Sequence, residues 1–168
     1  MHLVCGWSEE ELASRLGISS AVFQQVRFGE RIRVAFDIDE AALDLYTIKV
    51  LLQPLVENAI THGILSQRDR GTVEVAVALS DGVVRLVVRD DGKGFEQAPA
   101  TVALRESPRV QKGYALLNIA MRIRLYFGDD YGLVARNRPE GGAEVSLTIP
   151  AIRTLEEIAV HETEDPAR

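Results

Sequence analysis

Val88-Arg-Asp-Asp-Gly-Lys-Gly-Phe95 runs a hydrophobic strand into a carboxylate, Asp90, followed by glycines at 92 and 94. A carboxylate at a strand end can accept a hydrogen bond from an exocyclic amine such as adenine N6. Glycines, lacking a β-carbon, let a flat base approach the backbone. Read alone, the segment is better explained as an ordinary strand-end turn, with Asp and Gly supplying turn chemistry.

A second constellation is Leu51-Leu-Gln-Pro-Leu-Val-Glu-Asn-Ala-Ile-Thr-His-Gly63, apolar on one side and carrying Glu57, Asn58 and His62 on a neighbouring sector. Asn58 and His62 stand four residues apart and share a helix face. The amide oxygen of Asn58 is a hard donor that can complete the coordination of Mg²⁺, whose other ligands would be water and phosphate oxygens. The plainer reading is a solvated polar stripe, with His62 near a helix C-terminus where the dipole favours a cation. The third is Lys112-Gly-Tyr-Ala-Leu-Leu-Asn-Ile-Ala-Met-Arg122, in which Gly113 precedes a helix start. Free N–H groups at a helix start favour phosphate. Arg105, Arg109 and Lys112 add positive charge just before it, although such loop cations are usually just solvated.

The elements that must position these segments follow from periodicity. Ser8 to Val26 is helix-like, with Ser8 and Glu11 as a capping box and a break near Gly17. Arg31 to Asp37 alternates in the period of a half-buried strand and ends in a turn at Asp39. Lys49 to Leu65 places Leu52, Leu55, Val56, Ala59 and Ile60 at helical spacing, with Gly63 near its end and Pro54 expected to bend it or to start its second half. Val73 to Leu79 and Val83 to Arg89 are joined by Ser80-Asp81-Gly82, a hairpin signal. Periodicity is lost after Phe95 and returns at Gly113, where Leu116, Ile119, Ile123 and Tyr126 mark a helix; the interval reads as a mobile lid. Tyr131 to Ala135 and Glu144 to Ile149 pair around Pro139-Glu-Gly-Gly142, and Pro150 closes the last strand. Helices interspersed with antiparallel-leaning strands predict an α+β two-layer sandwich with helices on one face of the sheet.

In this order and at these separations, the three segments resemble the asparagine box and the two glycine boxes of the GHKL, or Bergerat-fold, ATPases, and most closely the LytS-type sensor histidine kinases. Arg27-Phe-Gly-Glu-Arg-Ile32, Tyr126-Phe-Gly-Asp-Asp-Tyr-Gly-Leu133 and Gly141-Gly142 leading to Pro150 extend the likeness over roughly residues 27 to 150. The resemblance implies a mixed, mostly antiparallel sheet with a flexible ATP lid. It places a divergent helical segment at 1–26, the ATP-binding domain at 27–150 and a partly disordered tail at 151–168.

By the same resemblance the cofactors are ATP and Mg²⁺. Asn58 is the magnesium ligand and, with Glu57, a candidate catalytic residue; Asp90 reads adenine, and Gly92, Gly94 and Phe95 line the base pocket. His62, Gly63, Lys112, Gly113, Tyr114, Ala115, Leu116, Asn118 and Arg122 complete the ATP-binding set. The implied activity is transfer of the γ-phosphoryl group to a histidine on a separate dimerisation domain, then relay to a response regulator. Ala115 stands where the second glycine box usually has Gly, Asp91 where Asn is common, and Ala143 where Thr often helps to fix an adenine-binding water. A degenerate regulator therefore stays open, as does an anti-sigma-factor-like serine kinase. Hydrolytic relatives commonly have a Glu four residues before the asparagine; here that position is Pro54, which cannot act as a base.

Bulk properties set the limits. The chain has 168 residues, 46% of them hydrophobic, enough for one buried core. Lys and Arg number 19 against 25 Asp and Glu, a net charge of −6, which removes the field that non-specific nucleic-acid binding needs. Glu11 to Ser20 reads like the start of a helix-turn-helix, but no basic recognition face follows. The single cysteine, Cys5, cannot close an internal disulfide, and no apolar run reaches the ~20 residues of a membrane span. A cytoplasmic location is expected, with a parent protein that can be anchored in the inner membrane. No phosphoacceptor motif surrounds His2, His62 or His161, so self-phosphorylation is not expected.

Overall fold

A computed structural model describes residues 32–47, 51–66, 69–96, 114–154 and 157. The expectations for the N-terminal helix, the lid, Lys112, Gly113 and most of the tail lie outside the described residues.

The elements run β1 (Ile32–Ile38), a 3-10 turn (Glu40–Ala42), α1 (Leu52–Asn58) continuing into a π-helical segment (Ala59–Ile64), β2 (Gly71–Ser80), β3 (Val83–Asp90), α2 (Tyr114–Phe127), β4 (Gly132–Asn137) and β5 (Ala143–Pro150). The strands form one sheet of order β1-β2-β3-β5-β4, in which β1 and β2 are parallel and the other neighbours antiparallel. This is the expected mixed, mostly antiparallel α+β arrangement.

Side chains alternate across a strand, so register decides which set meets the helices. Val34, Val73 and Asp90 fall in one cross-strand row, and Val75, Val88, Val145 and Ala135 in the next. With Leu86, Leu147 and Ile149, this face packs on Leu52, Leu55 and Val56 of α1 and on Ile119, Ile123 and Phe127 of α2. Asp90 is thus the polar end of an otherwise apolar inner row. The opposite face carries a charge ladder across its strands: Arg89 bonds Glu144 at 2.7 Å, Arg136 bonds Glu144 at 2.6 Å, and Glu74 lies 4.0 Å from Arg89. Ile152 extends the core past the last strand, pairing with Tyr46, so the packed unit runs beyond residue 150.

Asp81 and Gly82 both have positive φ, 50° and 77°, as a tight two-residue hairpin requires. The helix expected over Lys49 to Leu65 differs in kind. Pro54 is the third helical residue and neither bends nor splits α1, because first-turn nitrogens have no partner within the helix to lose. The irregularity falls later, at Ala59, where the bonding widens until Leu65 N–H reaches back to Ile60 O at 2.9 Å. Such widened turns recur at functional sites.

Candidate functional site

Asp90 closes β3 in a buried position, 4% exposed. Its Oδ1 accepts from Gly92 N at 2.8 Å and from Ala143 N at 3.4 Å. Among the described residues Oδ2 receives no hydrogen bond, which leaves one oxygen fixed to backbone amides and the other available to a ligand. Burial pushes the Asp90 carboxyl above its ordinary range. The Gly92 and Ala143 amides and the Arg138 charge oppose that shift, and the neighbouring Asp91 carboxylate adds to it.

Glycines make room for this carboxylate. A β-carbon at Gly63 would stand 2.7 Å from Asp90 Oδ1, and one at Gly92 would fall on the carbonyl group of Gly63. Gly63 O also accepts Lys93 N at 3.2 Å, so the widened turn of α1 and the loop after β3 meet backbone to backbone. Gly94 has a φ of 73° and faces Asn137 Oδ1, while Phe95 is half-buried against the core.

Asn58 ends α1, half-buried, and no hydrogen bond to its amide is found among the described residues. A free amide oxygen fits Mg²⁺, which takes few protein donors alongside water and phosphate oxygens. Among the described residues no group of three His, Cys, Asp or Glu could hold a metal. His62 is exposed, and its carbonyl accepts Ser66 Oγ at 2.7 Å. Glu57 is exposed and accepts Gln53 Nε2 at 2.7 Å. On α2, Ala115, Leu116 and Arg122 are half-buried and Asn118 is exposed; Tyr114 opens the helix.

Asp91, which stands where the family resemblance commonly has Asn, has a structural task. Its Oδ1 accepts Thr72 N at 3.0 Å while its own N–H donates to Thr72 O at 3.3 Å, prolonging the β2–β3 ladder. Three residues outside the expected site set also meet this loop. Asn137 grips Phe95 at both backbone atoms, Arg138 reaches the Asp90 carbonyl, and Gly142, with φ 84°, lies against that same carbonyl. The paired glycines 141 and 142 were a readable sign of close approach. Asn137 and Arg138 carried no sign in the sequence, since they act across more than 40 residues of chain.

Comparison with known proteins gives the family. The family described as histidine kinase-, DNA gyrase B-, and HSP90-like ATPase matches residues 44–153. Sensor histidine kinase YpdA of Escherichia coli is 40% identical over 132 residues, covering 78% of this chain and 22% of its own. Sensor protein LytS of Oceanobacillus iheyensis is 31% identical over 121 residues, covering 70% and 21%. The chain thus spans about a fifth of the length of these relatives. The catalytic domain of histidine kinase ThkA superposes with a TM-score of 0.59 at 17% identity, over 87% of this chain and 95% of that one, a likeness of fold. A buried strand-end carboxylate seated on glycines, in a matched segment covering most of the chain, leads to one assignment: the chain belongs to the histidine kinase-, DNA gyrase B- and HSP90-like ATPases.

Proposed function

We propose that this chain is the ATP-binding catalytic domain of a two-component sensor histidine kinase. It presents the γ-phosphoryl group of ATP to a histidine on a dimerisation domain elsewhere in the parent protein, which then passes it to a response regulator. The observation that carries the reading is the Asp90 carboxylate, with Oδ1 held by the Gly92 and Ala143 amides and Oδ2 open to an adenine amine.

In this reading Asp90 accepts from adenine N6, and Gly63, Gly92 and Gly94 keep the pocket flat enough for the base. Asn58 would hold Mg²⁺, which neutralises phosphate charge when bound. Tyr114, Ala115 and Leu116 at the start of α2, with Lys112 and Gly113 just before it in sequence, would meet the phosphates, and His62, Asn118 and Arg122 complete the proposed ATP-binding set. Transfer breaks the bond between the γ-phosphorus and its bridging oxygen and forms one to the histidine nitrogen, with ADP leaving. Glu57 is the candidate to polarise that nitrogen. The chain's part is mainly positioning and charge neutralisation. Among the described residues no helix is long and apolar enough to cross a membrane. ATP supply places the domain on the cytoplasmic side of a parent anchored in the inner membrane.

The test incubates the chain with the separately expressed histidine-bearing domain of its parent and γ-labelled ATP. Acid-labile label on histidine, abolished by Asp90→Asn, is the expected result. Acid-stable label on serine would make the chain a serine kinase. No binding of Mg-ATP at millimolar concentration would make it a regulator that has kept only the fold.

A further inference from the structure

Two consecutive residues at the end of β4, Asn137 and Arg138, hold the base-reading loop at its two ends. Asn137 Oδ1 accepts Phe95 N at 2.6 Å and Asn137 Nδ2 donates to Phe95 O at 3.0 Å, so one amide side chain replaces a pair of strand bonds. Arg138 Nη1 donates to the carbonyl oxygen of Asp90 at 3.3 Å. The guanidinium is itself fixed, since Nε and Nη2 both donate to Glu140 Oε1, at 3.0 and 2.6 Å, and its side chain is only 18% exposed. Arg138 N–H also donates to Gly142 O at 3.0 Å, and the turn so closed delivers Ala143 N to Asp90 Oδ1.

We propose that Asn137 and Arg138 form a clip that sets the pose of the loop from Asp90 to Phe95, making them positioning residues for base recognition. The inference rests on the reading that Asp90 meets adenine, and adds the residues that aim it. Two contacts at opposite ends of a six-residue loop constrain it far more than either alone. Between them stands Gly94, whose positive φ gives no resistance of its own to a shift of the backbone. Neither clip residue needs to touch nucleotide. Their effect reaches the ligand through the Asp90 carboxylate and the packing of Phe95.

The experiment titrates Mg-ATP and Mg-ITP into the full chain by calorimetry. ITP carries a carbonyl oxygen where ATP has the N6 amine, so the ratio of the two affinities reads the aim of Asp90. Asn137→Ala and Arg138→Gln are each expected to weaken ATP binding about five- to tenfold, as loss of one or two hydrogen bonds implies, and to lower the ATP preference at least about threefold. Asn137→Asp, which keeps the acceptor for Phe95 N and loses the donor, should fall between Asn137→Ala and wild type. Arg85→Gln, an equal loss of charge on the outer face, should leave both quantities unchanged. Thermal melting of each variant separates loss of pose from loss of fold.

Affinities and ratio within twofold of wild type in both clip variants would overturn the clip, while a loss in Asp90→Asn kept the base assignment intact. Weaker ATP binding with an unchanged ratio would assign Asn137 and Arg138 to the fold alone, and would also overturn it. An Asp90→Asn variant that keeps the wild-type ratio, or a wild-type chain that binds no ATP, would overturn the base assignment and the clip together.

Discussion

Gly63 and Gly92 meet backbone to backbone, so closely that a β-carbon on Gly92 would land on the carbonyl group of Gly63. Helix α1 and the loop after β3 are thereby locked at one distance, and the Asp90 carboxylate fills the space beside the contact. A β-carbon on Gly63 would instead meet that carboxylate, 2.7 Å from Oδ1. The two substitutions to alanine should therefore separate. Gly92→Ala forces backbone apart and should cost about 1–3 kcal/mol of stability, measured by urea denaturation. Gly63→Ala displaces a side chain and should weaken ATP binding about tenfold with a smaller loss of stability. Equal effects of the two would contradict the contact.

Asp90→Asn should trade function against stability. Burial raises the folded-state carboxyl above its ordinary value of 3.8, so the folded state holds the proton more tightly than the unfolded chain. The stability this residue contributes is fully present below that value and is lost as pH rises through the raised one. Asparagine removes the dependence. The variant should melt higher than wild type at pH 7, lose that advantage below about pH 3.8, and bind ATP poorly at both. Melting curves at the two pH values check the sign.

Asp91→Asn keeps an oxygen for Thr72 N and removes a charge that pushes the Asp90 carboxyl upward. With an ionised Asp90 as the proposed acceptor for adenine, ATP binding should persist to lower pH than in wild type. The strand ladder should stay intact. Calorimetric titrations between pH 4 and 7 would detect the shift, and an unmoved pH profile would disprove the coupling.

Glu144 is held on the outer face by Arg89 and Arg136. Burial alone would raise its carboxyl, but the bonds from Arg89 and Arg136 outweigh burial and leave it below its ordinary value of 4.5. Its stabilisation is present above 4.5 and disappears as pH falls through the folded value. Glu144→Gln should destabilise by about 1–3 kcal/mol at pH 7, and the gap to wild type should narrow in acid. Denaturant midpoints at pH 7 and pH 3 measure it.

With Asn58 as the proposed magnesium ligand, Asn58→Ala should lower ATP affinity about tenfold in the presence of Mg²⁺ and little in EDTA. Asp90→Asn should weaken binding in both. An Asn58→Ala variant with the same loss in EDTA would place the amide elsewhere in the site.

Much of the site was legible because its chemistry is local. Asp90, Gly92 and Gly94 lie within five residues of one another, and the Asp-Gly hairpin that aims β3 announces itself in two. Alternation marked β1 as a half-buried strand, and the Asp-Gly turn marked β2 and β3 as a hairpin, in which a shift of one residue would bury Arg89 and expose Val88. The sequence alone therefore determined the strands, the layering of helices on one face, and the carboxylate at the end of β3.

Tertiary structure decided what depends on distant pairs. The seat of Asp90 on Gly63, the hold of Asn137 on Phe95 and that of Arg138 on Asp90 join residues 27, 42 and 48 positions apart. Nothing in an asparagine or an arginine at a strand end reveals which backbone atom will arrive beside it. The widened turn after Asn58 is of the same kind, for it departs from a regular helix where that helix meets β3 and the Gly63 carbonyl bonds Lys93. Propensity acts over a few residues, whereas these bonds form only after the sheet has brought its rim together.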